Sequence, residues 1–571
     1  MPTHQKLRLG LIADPRTLLG WQAECIRILL DSDMVELKLI ATCQEVVRRA
    51  PEQKFHPKLR SNSLLLDSYL RITRNSCRAS QIVNFSGRTE GVEHIVLRLT
   101  LDGESGLIVR DDDVAKICNY DLDFILLFDP PMLGGGIYRA ARYGVWCFRF
   151  GDGVKCGDPA AFWEIYSGAQ VTKAALHRLT EHSGTATILY TGYFPTIAWS
   201  WHATRDLVLF SCAEWPARVC RDILNQSAAY LDGKPSNFDP HLQRNPTNWE
   251  MVLAGIRMGK SFAQAQLRAI ILREQWHIGI VRAPIQSFIE PNHVPPVEWL
   301  PGPPRTRFFA DPFAIRRGAE LTILFEDFDQ IENSGHISAM HSIDGGLSFT
   351  PPTPVRGSAF DTAKHKSYPY LFEYGGEIFC VPETCGTNEI NLYRAAQFPW
   401  QWERAGTILT GISAVDPTVF LHDGSWWMFF TLGGSGSNIK LYLAFASDLL
   451  GPWSLHPANP VKTDISSARP GGTPFLHEGV LYRPAQNSSS TYGGSLVIHQ
   501  VEKLTRTEYQ ERFVCNVTPQ HHGRYSGGFH TLAAAGDVCV VDGKRYVVLP
   551  ELLPAMLKQK IGSVIRRLLG N

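Results

Sequence analysis

Phe308-Phe309-Ala310-Asp311-Pro312-Phe313 decides the fold of the second half of this 571-residue chain, because the pattern recurs. Three related segments follow it: Ser367-Tyr368-Pro369-Tyr370, Val415-Asp416-Pro417-Thr418 and Ala468-Arg469-Pro470-Gly471. Their four prolines lie 57, 48 and 53 residues apart. A fifth, weaker unit runs from Gly528 through a turn at Asp542-Gly543 to Val548. A period of ~40–50 residues is typical of propeller blades, so we predict an all-β five-bladed β-propeller.

Propeller geometry also predicts a shared pocket, because the first strand of every blade lines the central channel. Equivalent positions in the five units therefore converge: Asp311, Tyr368, Asp416, Arg469 and His530. We expect Glu326, Glu383 and Arg483, from second strands, to lie close by. Carboxylates and guanidinium groups suit a polyhydroxylated or anionic ligand, because they hydrogen-bond to sugar hydroxyls and phosphates.

The propeller resembles the five-bladed glycoside hydrolase superfamily of arabinanases, xylosidases and fructan-cleaving enzymes. It is also similar to the N-terminal propeller of plant glucosamine inositolphosphorylceramide transferases. Further segments carry this resemblance: His365-Lys366-Ser367, Val381-Pro382-Glu383-Thr384 and Tyr482-Arg483-Pro484-Ala485-Gln486-Asn487. The resemblance implies a saccharide or glycolipid ligand and adds His365 and Gln486 to the binding residues. It does not imply glycosyl transfer. In the plant proteins, the region expected to carry out that reaction resembles a separate nucleotide-sugar domain.

Hydrolysis of a glycosidic bond needs two carboxyl groups that flank it. Asp311, Glu383 and Asp416 are the catalytic candidates. Asp311 is the base or nucleophile, Glu383 the acid, and Asp416 orients the sugar or tunes a neighbour's pKa. Binding without turnover and a purely structural repeat remain open beside hydrolysis.

The N-terminal half predicts an α/β domain with an open, mostly parallel sheet. Apolar strand-like runs span residues 7–13, 35–41, 122–128 and 145–150, with a helical stretch after the first. The turn after the first strand lacks G-x-G-x-x-G, so no dinucleotide cofactor is indicated. The order of elements over residues 5–210 resembles the formyltransferase fold. That resemblance rests on Tyr120-Asp121-Leu122-Asp123-Phe124-Ile125-Leu126, on Ala141 to Arg149 and on Pro159 to Glu164.

The resemblance implies an inactive formyltransferase site. Cys147, Arg149 and about Thr185 stand where active members have Asn, His and Asp. Arg149 cannot serve as a base near neutral pH, because its guanidinium stays protonated. A rewired site using nearby Asp152, His177, Glu181 or His182 is the alternative to a domain kept for binding or scaffolding.

Composition limits the remaining function classes. Apolar residues make up 44%, charged residues 19% and the net charge is +1, which indicates no nucleic-acid partner. The cysteines form no C-x-x-C pair, so we expect no metal or other cofactor. Without a visible signal peptide we expect a cytoplasmic protein. Residues 551–571 predict a basic amphipathic helix, which packs on the protein itself or contacts a partner or the inner membrane face.

These observations predict four regions: an α/β domain over 1–212, a helical connector over 213–275, the propeller over 276–550 and the C-terminal helix over 551–571. The leading hypothesis is a carbohydrate-active protein whose propeller pocket binds or hydrolyses a saccharide. The alternatives are a sugar formyltransferase with a rewired site and a non-enzymatic glycan-assembly factor.

Overall fold

The computed structural model describes residues 6–44, 63–102, 106–128, 133–151, 159–180, 185–237, 245–290, 295–357, 365–384, 386–434, 436–519 and 523–552. The chain divides into two compact units after Phe262, inside the predicted connector. None of the helices in the described part of the chain is long and apolar enough to cross a membrane. The predicted C-terminal helix lies, from residue 553 onward, outside the described residues.

The first unit is built on a ten-stranded mixed sheet. Its strands, with one short separate pair (β2 and β4), are β1 Leu7–Ile12, β2 Leu18–Leu19, β3 Val35–Gln44, β4 Ile82–Val83, β5 Glu93–Asp102, β6 Gly106–Val109, β7 Phe124–Leu127, β8 Leu133–Gly134, β9 Val145–Phe150, β10 Val171–Leu179, β11 Thr185–Pro195 and β12 Ser236–Asn237. The helices are α1 Gly20–Asp31, α2 Leu64–Thr73, α3 Asp111–Cys118, α4 Phe162–Ser167, α5 Trp201–Cys212, α6 Trp215–Leu224 and α7 Asn248–Ile271, the last running into the second unit.

The sheet confirms the predicted α/β class. Its order is β12-β11-β10-β9-β7-β1-β3-β5-β6-β8, and the five strands from β9 to β5 pair in parallel. β7 is buried along its whole length, which explains its unbroken apolar sequence. The antiparallel strands β10 and β11 then extend one side of this parallel centre.

The second unit is the predicted five-bladed propeller. Its strands are β13 Leu272–Val281, β14 Val297–Trp299; β15 Arg307–Arg317, β16 Glu320–Asp329, β17 Ser334–Ser342, β18 Thr353–Pro354; β19 Ser367–Tyr374, β20 Glu377–Glu383, β21 Glu389–Gln397, β22 Gln401–Thr410; β23 Ala414–His422, β24 Ser425–Leu432, β25 Lys440–Ala446, β26 Ser454–Leu455, β27 Lys462–Thr463; β28 Phe475–His477, β29 Val480–Asn487, β30 Ser495–Leu504, β31 Tyr509–Val517; β32 Leu532–Ala535 and β33 Val538–Val548.

Four blades follow the sequence repeat, and the fifth is composite. Its sheet has the order β14-β13-β33-β32, so strands from both ends of the unit share one blade. β13 pairs with β33 from Leu272 opposite Val548 to Val281 opposite Cys539. This long antiparallel pairing closes the ring.

One expectation about the fifth repeat is wrong. Asp542 and Gly543 lie inside β33 rather than in a turn, because they pair with Ile278 and His277 of β13. Gly543 is required there: a Cβ would lie 2.3 Å from the Trp299 ring. The Asp-Gly dipeptide therefore serves strand packing at this position, although it commonly marks turns.

Candidate functional site

A shared backbone feature places three of the predicted side chains. Asp311, Tyr368 and Asp416 have φ of 51°, 47° and 50°, and each interrupts the pairing of the innermost strand of its blade. Positive φ is rare for residues with a side chain, and it persists where the surroundings enforce it. Each of these residues precedes the repeat proline. The recurrent X-Pro segment is thus a repeated bulge that re-aims one side chain in each of three blades.

Asp416 lies at the centre of one group of contacts. The Arg469 guanidinium donates to both carboxylate oxygens of Asp416, Nε at 2.6 Å and Nη2 at 3.1 Å. The Gln486 Nε2 donates to Asp416 Oδ2 at 2.7 Å. The backbone N–H of Asp416 donates to Glu383 Oε2 at 3.2 Å, and Arg469 Nη2 lies 3.9 Å from the same oxygen. Residues from the second, third and fourth repeats therefore converge on Asp416.

Asp311 belongs to a second group, contributed by the first repeat and the composite blade. Its Oδ1 accepts from Thr531 Oγ1 at 3.0 Å and lies 3.6 Å from His530 Nε2. The other imidazole nitrogen, Nδ1, lies 2.5 Å from Asp542 Oδ2. Asp542 thus holds His530 against Asp311, and the Trp276 ring stacks on the imidazole at 3.8 Å between centroids.

Asp542 also fixes the backbone around it. It accepts the N–H groups of Asp311 at 3.1 Å and of His530 and Thr531 at 3.0 Å each. Its side chain is fully buried. Sequence reasoning missed Asp542 because the following glycine suggested a turn, although an acid directly after the apolar run from Val538 to Val541 was a usable signal.

Three more of the predicted site residues lie in the propeller: Glu326, Tyr368 and His365. Glu326 is buried, and its Oε1 lies 3.6 Å from His365 Nε2. The Tyr368 hydroxyl lies 3.0 Å from Thr418 Oγ1 and accepts the Gly472 N–H at 3.0 Å. Tyr492, absent from the predicted binding residues, lies under the Arg469 guanidinium at 5.1 Å from its ring centroid.

We call Asp311, Glu326, Glu383, Asp416, Asp542, Arg469 and His530 the channel cluster. Burial raises the pKa of Asp311 to about 6, with Asp416 and Asp542 adding to the rise and His530 opposing it. Burial, followed by neighbouring carboxylates, raises the pKa of Glu326 and of Glu383 well above the ordinary glutamate value. These glutamates therefore hold protons at a pH where an exposed glutamate is ionised.

The surrounding carboxylates favour the charged forms of the two basic groups in the cluster. Burial disfavours the charged forms of Arg469 and His530, but the surrounding carboxylates outweigh it and raise the pKa of both groups. Five carboxyl groups thus share two cations. The arrangement can donate and accept protons within a largely buried space.

Arg483 lies outside the channel cluster, in a separate group of buried charges. Its Nε and Nη2 donate to Glu511 at 2.8 and 2.7 Å, and Nη2 also donates to the Ser467 carbonyl at 2.7 Å. Lys462 Nζ donates to Glu511 at 2.6 Å, and His499 and Tyr509 surround the same carboxylate. We call Glu511, Arg483, Lys462, His499 and Tyr509 the Glu511 cluster, in which Lys462 from the third repeat and Arg483 from the fourth donate to one carboxylate.

One group among the described residues has ligand atoms close enough for a metal ion: Asp311, His530 and Asp542, within 4.8 Å of one another. Carboxylate and imidazole ligands suit several divalent cations. The separation of 2.5 Å between His530 Nδ1 and Asp542 Oδ2 fits a charge-assisted hydrogen bond. This contact already satisfies Nδ1 of the imidazole, so the geometry of His530 and Asp542 favours an ion pair.

The predicted formyltransferase positions lie in and beside the apolar core of the first unit. Cys147 is fully buried there, and burial raises the pKa of its thiol to about 12. On β10 the opposite residue is His177, whose pKa burial lowers to about 4. Thr185, two strands away, contacts Thr180 at 2.6 Å. Asp152, Glu181 and His182 lie outside the described residues.

A cavity of about 700 Å³ also lies in the first unit, where β7 and β9 begin. Asp121, Arg142 and Arg178 are among the residues that line it. In parallel sheets, ligands usually bind at the carboxyl ends of strands, the opposite edge. The cavity contains none of the predicted site residues, so we place the candidate site at the channel cluster.

Sequence comparison identifies relatives of the propeller. Residues 302–530 match the family described as "Glucosamine inositolphosphorylceramide transferase 1, N-terminal". Glucosamine inositolphosphorylceramide transferase 1 of Oryza sativa subsp. indica is 37% identical over 254 residues, which cover 42% of this chain and 34% of the rice protein. The Arabidopsis thaliana protein of that name is 37% identical over 211 residues, 36% of this chain and 27% of its own length. The chain thus spans about a third of these relatives.

Solved structures of glycoside hydrolases also match, at low scores. Zg3597, a family 117 glycoside hydrolase of Zobellia galactanivorans, is 12% identical with a TM-score of 0.30, covering 42% of this chain and 85% of its own. The xylan β-1,4-xylosidase of Bacillus halodurans is 15% identical with a TM-score of 0.30, and the match covers 38% of this chain and 48% of the xylosidase chain.

Proposed function

We propose that the channel cluster binds the sugar part of a glycan or glycolipid and hydrolyses a glycosidic bond in it. One observation carries the proposal: buried carboxyl groups from different blades lie in one cluster, and their pKa values differ from ordinary values. Strongly perturbed carboxyl groups held in a buried site are typical of catalytic centres. Homology of the propeller to proteins named for a glycolipid supports the substrate class.

In this proposal the protonation states of Asp311 and Glu383 give the two carboxyl groups different roles. Asp311, with a pKa of about 6, is mostly ionised at neutral pH and serves as the base or nucleophile. Glu383, whose pKa burial and Asp416 raise well above the usual value, keeps a proton for the leaving group. Asp416 is held by Arg469 and Gln486 and therefore orients its neighbours. Two carboxyl groups with separated pKa values are what general acid and base catalysis needs.

The relatives suggest which sugars to test. Their name refers to glucosamine and to inositolphosphorylceramide, so we propose an aminosugar or an inositol phosphate headgroup as the ligand class. Carboxylates, Gln486 and His365 offer acceptors and donors for hydroxyl and amino groups.

The test measures product release by the 571-residue chain from oligosaccharides and glycolipids that contain these sugars. Asp311→Asn and Glu383→Gln keep the size and polarity of the two groups, and Asn also tolerates the positive φ at residue 311. The matched controls are Asp423→Asn and Glu373→Gln, which change exposed acids on the same propeller. We expect hydrolysis in the wild type and controls, and a loss of at least ~100-fold in each channel variant.

A second function, binding without turnover, is favoured by the bidentate contact between Arg469 and Asp416, which neutralises one of the three predicted catalytic carboxylates. Calorimetric titration of the same sugars distinguishes it. Binding that both channel variants weaken, with no product from any protein, would replace hydrolysis by recognition. Product release that survives both substitutions would reject the channel cluster as the catalytic site.

A further inference from the structure

Helix α7 buries one face and leaves the opposite face uncovered. Met251 and Ala254 are buried and Met258 packs beside them, in a core that includes Phe162 and Trp201. Trp249, Val252 and Ile256 recur at helical spacing on the other side. Trp249 and Ile256 are 67% and 64% exposed. Apolar side chains this open, in a continuous row, are unusual on a helix that already has a buried face.

Helix α2 adds to the same surface. It packs Leu66 into that core and leaves Leu64 and Ile72 76% and 79% exposed, with Leu65 exposed beside them. The Asn248 side chain, next to Trp249, joins the two helix starts. Its Oδ1 lies 3.1 Å from Ser63 Oγ and accepts the Leu65 N–H at 3.0 Å. The starts of the two helices are therefore joined, and we call their exposed apolar residues the apolar face: Leu64, Leu65, Ile72, Trp249, Val252 and Ile256.

Positive charge accompanies this face. Arg71, Arg74 and Lys260 are exposed on the two helices and at the end of α2. Within the described part of the chain, the ion pairs include none of these three cations. The half-buried acid Glu250 on α7 is already used, because its carboxylate accepts from the Thr247 N–H at 2.9 Å and from the Thr247 hydroxyl at 3.0 Å. The cations are thus available to an external anion.

We propose that this face docks on a membrane surface that contains anionic lipids. Apolar side chains that include tryptophan, with lysine and arginine around them, are the composition of helices that lie in the plane of a bilayer interface. The apolar groups enter the headgroup boundary, and each nearby cation gains from the negative surface potential.

Charge also disfavours a second copy of the chain as the occupant. A two-fold dimer brings the same patch of both subunits together. Arg71, Arg74 and Lys260 of one copy would then face the same cations of the other, and like charges in contact weaken association. An anionic lipid surface presents the complementary charge at every position.

The experiment is flotation of the full chain with lipid vesicles. Vesicles of phosphatidylcholine alone are compared with vesicles that contain one third phosphatidylglycerol. The apolar variant is Leu64→Gln/Trp249→Gln/Ile256→Gln, and the control Leu347→Gln/Leu455→Gln/Leu476→Gln changes three exposed leucines of the propeller. The charge variant is Arg71→Glu/Arg74→Glu/Lys260→Glu. Circular dichroism checks that all proteins remain folded.

We expect the wild type and the leucine control to float with anionic vesicles, and both face variants to lose at least ~10-fold in partitioning. Flotation that both face variants retain would overturn the proposal, because another part of the chain would then carry the binding. No flotation of the wild type would also overturn it. If sedimentation then showed a dimer that the apolar variant dissociates, the face would be a self-association surface.

Discussion

Two groups of buried charges lie in the same propeller and differ in how their charges are balanced. In the Glu511 cluster a single central carboxylate receives Arg483 at 2.7 Å and Lys462 at 2.6 Å. In the channel cluster five carboxyl groups share Arg469 and His530. Both groups combine carboxyl groups with arginine and histidine in largely buried surroundings, and they differ in the ratio of cations to carboxyl groups.

The pKa values report this difference. Burial alone would raise the pKa of Glu511, but Arg483 and Lys462 outweigh it and hold the pKa well below the usual range. For Glu383, burial and the neighbouring Asp416 both raise the pKa, against a weaker opposing effect of Arg469. In a neutralised cluster the fold depends on each partner, because losing one leaves a buried charge, whereas an unbalanced cluster costs stability and is typical of a functional site. Three substitutions test this contrast.

The largest effect should come from Arg483→Met. The substitution keeps an unbranched side chain but leaves the buried Glu511 with Lys462 as its remaining cation. Removing one partner of a buried ion pair costs about 3–5 kcal/mol, because the other charge stays buried. We expect a decrease of that size in the free energy of unfolding, measured by urea denaturation followed by tryptophan fluorescence.

The control for this prediction is Arg512→Met, on the same sheet. Arg512 is exposed and pairs with Glu502 at 2.9 Å, so its loss should change the unfolding free energy by less than about 0.5 kcal/mol. Equal effects of the two substitutions would contradict a structural role for the Glu511 cluster. Saccharide binding should persist in the folded fraction of the Arg483 variant, since Arg483 does not touch the channel cluster.

Asp542→Asn should have the next largest effect. Asparagine has one acceptor oxygen where Asp542 serves three backbone N–H groups and the His530 imidazole. We expect a loss of about 2–3 kcal/mol in unfolding free energy, because hydrogen bonds to a charged group are lost. The pKa of His530 should fall as well, since burial lowers it and Asp542 is the main group that opposes burial.

Histidine titration by NMR measures this second effect. The control is Asp537→Asn, which changes an exposed acid in the turn between β32 and β33. It should leave the His530 resonance unchanged. A His530 pKa that Asp542→Asn does not lower would show that Asp542 is a structural residue and does not position the imidazole against Asp311.

Repetition explains what the sequence predicts well. Four X-Pro segments at similar spacing predict the blades, and the structure adds the reason, a positive φ before three of the prolines. Repeat position also brings Asp311, Asp416, Arg469 and His530 together. The strand pairing of the composite blade could not be predicted in this way. Its strands β13 and β33 pair across more than 250 residues of sequence, and no local pattern indicates a partner so distant.

Arg483 and Asp542 show where sequence reasoning ends. Both belong to second or later strands of their blades, where alternate residues point to different surroundings. Arg483 occupies the repeat position of Glu326 and Glu383, but its guanidinium donates to Glu511 on β31. Asp542 meets His530 through the pairing of β32 with β33, and it meets Asp311 of another blade because β33 packs against β15. Such partners depend on tertiary contacts, which neither spacing nor composition specifies.

Glu383→Gln should have the smallest effect and the most specific signature. The folded-state pKa of Glu383 lies well above its value of 4.5 in the unfolded chain. Between these values unfolding releases a proton, so the carboxyl group destabilises the fold increasingly as the pH rises. Glutamine carries no such proton and can still accept the Asp416 N–H. The variant should therefore gain stability relative to the wild type by up to about 1.4 kcal/mol between pH 5 and pH 6.

Urea denaturation at the two pH values measures this difference. Glu373→Gln, which removes an exposed carboxylate paired with Arg317 at 2.7 Å, should show a difference from the wild type that does not change with pH. A flat difference for Glu383→Gln would mean that Glu383 is ionised in the folded protein, as Glu511 is. The contrast between the two clusters would then fail, and Glu383 could not supply the proton that the proposed hydrolysis requires.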